Sequence, residues 1–297
     1  MTCFLMCEPS ELYNLLNRCR SVSRLADINY LCLIDTRERQ DYNTGHIITA
    51  KSAKVDSEGK FLLPVAVEVD TMQHVVVYDS NTSSLQEQGR AFDCAQVLAE
   101  ASLCPVHIVR GGFQRFTALY PFLRTEKIMY TIMELENLKT YPLEIKAGLL
   151  YMGNLKHGTD STIISDLKIR AIVNVSQCDS LEPTQKNLTV LNIPVADSVA
   201  SDLYSSFERI CSFIESHINA GSRVLVVSQQ GRSRCSAVVI AFNMHHFKYS
   251  LKESGAWKYM LRCKPNMRPN TGFLQQLSDW EQHTMGNTMT DISEPYF

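Results

Sequence analysis

RVLVVSQQGRSRCSAVVIAF, residues 223–242, is the stretch that decides how this chain folds. RVLVV (223–227) has the β-branched run of a buried strand. CSAVVIAFNMHHF (235–247) has the apolar character of a helix, and SQQGRSR (228–234) joins the two. A strand that turns through such a loop into a helix makes an anion cradle. Gly231 lets the backbone turn so that successive N–H groups converge. The helix N-terminus adds partial positive charge, and Arg234 can clamp two phosphate oxygens. The candidate phosphate-binding residues are therefore Ser228, Gln229, Gln230, Gly231, Arg232, Ser233 and Arg234. The competing structural reading is that Gly231 serves only the turn and that Arg234 braces the loop from inside.

Outward from this loop, the second half alternates strands and helices. LLYMG (149–153), AIVNVS (171–176) and VLNIPV (190–195) read as strands, with a helix near 160–168. A longer helix is expected from Leu203 to Asn219, with Phe207, Ile210, Cys211, Ile214 and Ile218 on one face and Ser201 or Asp202 as its cap. Ser250-Leu-Lys-Glu253 has the pattern of a capping box opening a helix with Ala256, Trp257, Met260 and Leu261 inside. The last helix carries Phe273, Leu274, Leu277 and Trp280, which are expected to be core residues.

The spacing residue-x-x-Gly-x-x-Arg after a strand resembles the C-x5-R loop of cysteine-dependent protein phosphatases. Residues 142–283 as a whole resemble a dual-specificity phosphatase domain. Asp197 in IPVADS stands where that family keeps its general acid, and Arg268-Pro-Asn-Thr-Gly-Phe273 resembles the P-N-x-x-F segment opening its final helix. The resemblance implies a thiolate nucleophile at position 228 and a histidine before it. This chain has Ser228 and Val227 there. A serine hydroxyl stays protonated unless a base takes its proton, so turnover is expected to be negligible. Cys235 follows Arg234 where the family has a Ser or Thr hydroxyl, and it is expected to lie out of reach of the cradle floor.

The first half carries a second resemblance. LIDTRERQDYNTGHI (33–47), VVVYDSNTSS (75–84) and IVRGGFQRFTALYP (108–121) are similar, in order, to segments of the rhodanese-like fold found ahead of the catalytic domain in MAP kinase phosphatases. An active sulfurtransferase would hold persulfide on a cysteine after the VVVY strand. The residue there is Asp79, a degenerate rhodanese loop from which no sulfur transfer is expected. The adjacent arginines with which that family docks MAP kinases are replaced by TAKSAKVDSEGK (49–60), which argues against docking by that route. Asp35 and Arg37 are expected to brace a strand end, and His46 to be a structural histidine. Before this region, SELYNLLNRC (10–19) reads as a helix capped by Ser10, and Gln86 to Glu100 as another.

The expected fold is α/β in two domains: a rhodanese-like parallel sheet over 1–128 and a dual-specificity phosphatase-like sheet over 142–285, both with flanking helices. Residues 129–141 form a linker and 286–297 a tail. Lys and Arg total 29 against 31 Asp and Glu, divided 13 against 15 up to residue 130 and 16 against 16 beyond it. Neither half is a basic nucleic-acid module, and no apolar run reaches the roughly 18 residues of a membrane span. The ten cysteines lack any C-x-x-C pair, so neither a metal nor a cofactor is expected, and reduced thiols point to the cytoplasm. An atypical mitochondrial import signal is left open. Together the two resemblances imply a pseudophosphatase that regulates by binding proteins, either shielding phosphorylated partners or pairing with an active phosphatase and inhibiting it. The alternatives are a weak phosphatase working through Ser228 or Cys235, and a scaffold whose anion site is empty.

Overall fold

The computed structural model describes residues 4–65, 67–177, 181–183, 185–252, 255–287 and 290–293, in two compact units, 1–140 and 141–297. In the first unit, β1 (Phe4–Cys7) leads into α1 (Pro9–Asn17), followed by β2 (Leu31–Asp35), α2 (Arg39–Thr44) and the short β3 (Lys51–Ser52). Then come β4 (His74–Tyr78), α3 (Arg90–Ala101), β5 (Val106–Val109), α4 (Gly112–Leu119) and α5 (Ile132–Glu136). The sheet runs β1-β5-β4-β2-β3 with every pair parallel. Its central strands are continuous apolar runs because both faces are covered, as an all-parallel sheet requires. Val75, Val77, Ile108, Ala95 and Leu98 share one core cluster between the sheet and α3.

In the second unit the order is β6 (Leu143–Lys146), β7 (Leu150–Asn154), α6 (Leu155–Thr159), α7 (Ser161–Asp166), β8 (Ile169–Asn174) and β9 (Thr189–Asn192). It continues through α8 (Tyr204–Asn219), β10 (Arg223–Ser228), α9 (Arg234–Phe247), α10 (Ala256–Cys263) and α11 (Thr271–Met285). The sheet order is β6-β7-β10-β8-β9, parallel except for the edge pair β6 and β7. β10 is thus the middle strand, and the anion loop leaves from its C-terminal end, where ligands bind in open α/β sheets. α9 is buried from Arg234 to Met244. A helix apolar all round belongs inside a layer of others, and α8, α10 and α11 all pack against it. Trp280 of α11 anchors this packing, its indole N–H donating to the Ala241 carbonyl at 3.0 Å.

Several local expectations need amending. α1 is capped by Glu8 rather than Ser10, because Pro9 occupies the first helical position and Glu8 and Glu11 form a reciprocal capping box. α3 begins at Arg90, behind Gly89, and not at Gln86. The helix expected near 160–168 is α7, capped by Asp160, with the separate short helix α6 ahead of it. α10 opens at Ala256, six residues beyond Ser250, and the Glu253 of the proposed capping box lies outside the described residues. Asp202 does accept from the Ser205 amide at 3.1 Å, while Gln276 of α11 receives the Leu203 and Tyr204 amides, both at 2.8 Å. Residues 129–141 contain α5, which carries its own capping box between Thr131 and Glu134 and packs against the turn Arg24–Ala26. Residues 286, 287 and 290–293 of the expected tail are described, with Thr290 buried against Glu281. No described helix is long and apolar enough to cross a membrane.

Candidate anion site

β10 delivers Ser228 to the loop with 2% of its surface exposed. Gly231 has φ +67, and a Cβ there would stand 2.8 Å from the Gly153 carbonyl carbon and oxygen, on the end of β7. The turn and the close approach to β7 both exclude a side chain. Around this turn the amides of Gln229, Gln230, Arg232 and Ser233 donate to no acceptor among the described residues. Arg234 is buried, its Nη1 donating to the Val195 carbonyl at 2.7 Å. Its Nε is buried and has no partner among the described residues. The guanidinium therefore braces the neighbouring loop with one nitrogen and leaves another for a ligand. A buried donor without an acceptor costs about 1–3 kcal/mol. An oxyanion in the loop would remove that cost.

Asp197 sits over the same loop. The Ser233 hydroxyl donates to its Oδ1 at 2.6 Å, and Asn270 Nδ2 donates to the same oxygen at 3.0 Å. Asn270 in turn caps α11, accepting from the Phe273 amide at 3.0 Å. The segment carrying Asp197 is held again further on, where Gln276 Nε2 donates to the Ser201 carbonyl at 2.8 Å. Sequence reading placed Asp197 and the Arg268–Phe273 segment separately near the loop. It did not foresee that Asn270 and Ser233 converge on one carboxylate oxygen, nor that Gln276 clasps the segment from α11. Nothing in the local pattern around Gln276 signals that contact.

Val227, at the position of the family's histidine, is fully buried, 3.3 Å from where a Cβ on Gly158 of α6 would stand. Cys235 stands in the first turn of α9, just after the loop. Its thiol is enclosed beside the Ser228 side chain. Burial pushes this thiol up from its ordinary range, and none of its surface is exposed.

In the first unit, Asp79 ends β4 and turns its carboxylate into its own loop. Oδ1 accepts from the amides of Asn81 and Thr82 at 3.1 and 2.9 Å, and Oδ2 from the Thr82 hydroxyl at 2.6 Å. The loop carries its own anion. Removing it in Asp79→Ala leaves the Thr82 donors without their acceptor, and a loss of about 2 kcal/mol in stability is expected, read as a lower denaturation midpoint. Asp35 and Arg37 form a buried ion pair at 2.6 Å, with the guanidinium 3.6 Å from the centroid of Phe113 and Nη2 donating to the Gly45 carbonyl. His46 is fully buried between the carbonyls of Tyr42 and Lys127, both at 3.0 Å, as befits a structural histidine.

A central parallel strand, a glycine turn at the end of it, a buried arginine seven positions into the loop and a carboxylate above make a candidate anion site of the phosphatase type. Comparison with known proteins agrees. Residues 150–283 match the dual specificity phosphatase catalytic domain, and residues 8–119 match the rhodanese-like domain. The 133 residues aligned with "Putative tyrosine phosphatase 123R" of Invertebrate iridescent virus 6 are 32% identical and span 45% of this chain and 87% of the viral protein. The chain belongs to the dual-specificity phosphatase family and carries a rhodanese-like domain ahead of its phosphatase domain. Human "Dual specificity protein phosphatase 16" is 27% identical over 282 residues, which make up 86% of this chain but 41% of that protein. The chain thus spans less than half the length of that relative. The crystal structure of the human tyrosine phosphatase-like serine/threonine/tyrosine-interacting protein superposes with a TM-score of 0.44 at 26% identity, covering 48% of this chain and 96% of that one.

Proposed function

We propose that this chain is a pseudophosphatase of the serine/threonine/tyrosine-interacting type, which binds phosphorylated proteins in the loop Ser228–Arg234 and does not hydrolyse them. The observation that carries this reading is the loop itself. Four amides without acceptors and the Nε of Arg234 surround a residue with no thiol. The donors suit an oxyanion, while a neutral hydroxyl without an adjacent base supplies no nucleophile. Cys235 does not replace it, since its enclosed thiol is held in the unreactive protonated form by burial. Asp197, with Oδ1 engaged by Ser233 and Asn270, acts as a brace for the rim of the site. The rhodanese-like unit works without sulfur transfer, because Asp79 fills its loop. Its role, and any pairing with an active phosphatase, is one of protein binding, without MAP kinase docking through residues 49–60. The described cysteines are all free thiols, which is consistent with work in the cytoplasm.

Binding of a phosphotyrosine peptide to the purified full chain, measured calorimetrically, tests this reading. Arg234→Ala is expected to weaken it about a hundredfold, the worth of charge-assisted hydrogen bonds to phosphate. Equal affinity for the unphosphorylated peptide would favour the scaffold with an empty site. Appreciable release of product by the wild type in a single-turnover assay would favour the weak phosphatase.

A further inference from the structure

Beside the anion loop lies a cavity of about 640 Å³ whose floor is Trp257, Leu261, Met267 and Leu274, and which meets the site at Asp197 and Ser233. We propose that it receives a bulky apolar side chain flanking the phosphorylated residue of a partner protein, so that the ligand is a phosphopeptide with an apolar neighbour. This rests on the reading of the loop as a phosphate site.

Three observations favour that occupant. The cavity is within the size range of roughly 300–1,000 Å³ typical of sites for organic ligands and far exceeds what a phosphate group needs. Its partition from the loop is rigid, since Ser233 and Asn270 hold Asp197 between them at 2.6 and 3.0 Å. Two anchoring points, one for an anion and one for a hydrocarbon, are therefore held at a fixed separation, which suits neighbouring side chains of one backbone. The rim is cationic. Arg268, on the cavity wall, donates its amide to the Arg232 carbonyl at 2.9 Å, so the two residues are neighbours. Both are exposed, and neither has an ion-pair partner among the described residues. A negatively charged peptide would meet complementary charge on the way in.

The test uses the full chain and fluorescein-labelled alanine-based peptides with a central phosphotyrosine or phosphothreonine, read by anisotropy. Leucine is placed in turn at the two positions on either side. At one of them, leucine is expected to tighten phosphate-dependent binding about tenfold over alanine, from the burial of one aliphatic side chain. Val199→Glu is expected to abolish that difference while phosphate dependence persists. Val199 lines the cavity and its side chain is exposed, so the change leaves the fold intact. Phosphate-dependent binding that ignores leucine everywhere would overturn the proposal and leave the phosphate reading standing. Leucine-dependent binding without any need for phosphate would overturn both. Preference for phosphoinositide vesicles over every peptide would overturn the proposal in favour of a lipid ligand.

Discussion

The pair Val227→His with Ser228→Cys is expected to raise hydrolysis of an aryl phosphate by about four orders of magnitude over the parent chain, the lower end of what a nucleophile contributes in comparable enzymes. A cysteine at 228 would stand at the end of β10, where the unengaged amides of residues 229, 230, 232 and 233 and the Arg234 guanidinium all favour a thiolate. Histidine at 227 would add a neighbouring positive charge, with the absence of a side chain at Gly158 giving it space on the α6 side. The gain should be uneven across substrates. Asp197 Oδ1 already receives two donors, so delivery of a proton to the leaving group falls to Oδ2. Nitrophenyl phosphate, whose leaving group needs little protonation, should gain more than phosphotyrosine. Stopped assays on both substrates check this, and a folded double variant with no activity on either would mean that the loop no longer orients phosphate.

Gly112→Ala is expected to cost the first unit about 4 kcal/mol, at the upper end of single-substitution losses. Gly112 has φ +54, a conformation that costs a side chain about 1–2 kcal/mol by itself. The new Cβ would also stand 2.4 Å from the Asp79 carbonyl oxygen and 2.6 Å from the Asn81 amide nitrogen. Those are backbone atoms of the loop that Asp79 organises, and Phe113 donates to the same carbonyl at 2.8 Å, so neither side can give way alone. Urea denaturation followed by far-UV circular dichroism measures the loss. Tryptophan fluorescence would miss it, since Trp257 and Trp280 both belong to the second unit. A change below about 1 kcal/mol would show that the loop can move aside.

The parts of this fold legible in sequence were those with an internal period or a continuous apolar run. HVVVY and RVLVV read as strands by their valines, which the structure bears out with each inside its sheet, and the face Phe207, Ile210, Cys211, Ile214 and Ile218 is buried as its spacing demanded. The strands β1 and β6 escaped notice because FLMC and LEIK lack the β-branched run by which the equally short edge strand β9 could be read. Cap residues misled wherever a second candidate stood nearby. Ser10 lost to Glu8 because a proline between them fits the first helical position better than any other residue. Within the site, the loop residues 228–234 follow one another in the chain, so their chemistry could be read directly. The ties that immobilise Asp197 come from residues 36 and 73 positions away, and tertiary contacts of that separation leave no local trace.

Ser228 and Cys235 put oxygen and sulfur in exchanged places relative to the family's pattern. In an active phosphatase the resting thiolate is a full negative charge at the floor of the loop, and an incoming phosphate dianion must approach it against Coulomb repulsion. That repulsion raises the energy of the bound substrate and is relieved only as the bond to phosphorus forms, which is how such a site favours reaction over retention. With the neutral hydroxyl at the floor and the sulfur protonated in the helix, the repulsion is gone and the attraction of the amides and Arg234 is left unopposed. In a pseudophosphatase the exchange would do more than silence the chemistry. On the proposed reading, it would convert a site that hurries phosphate onward into one that lengthens its stay.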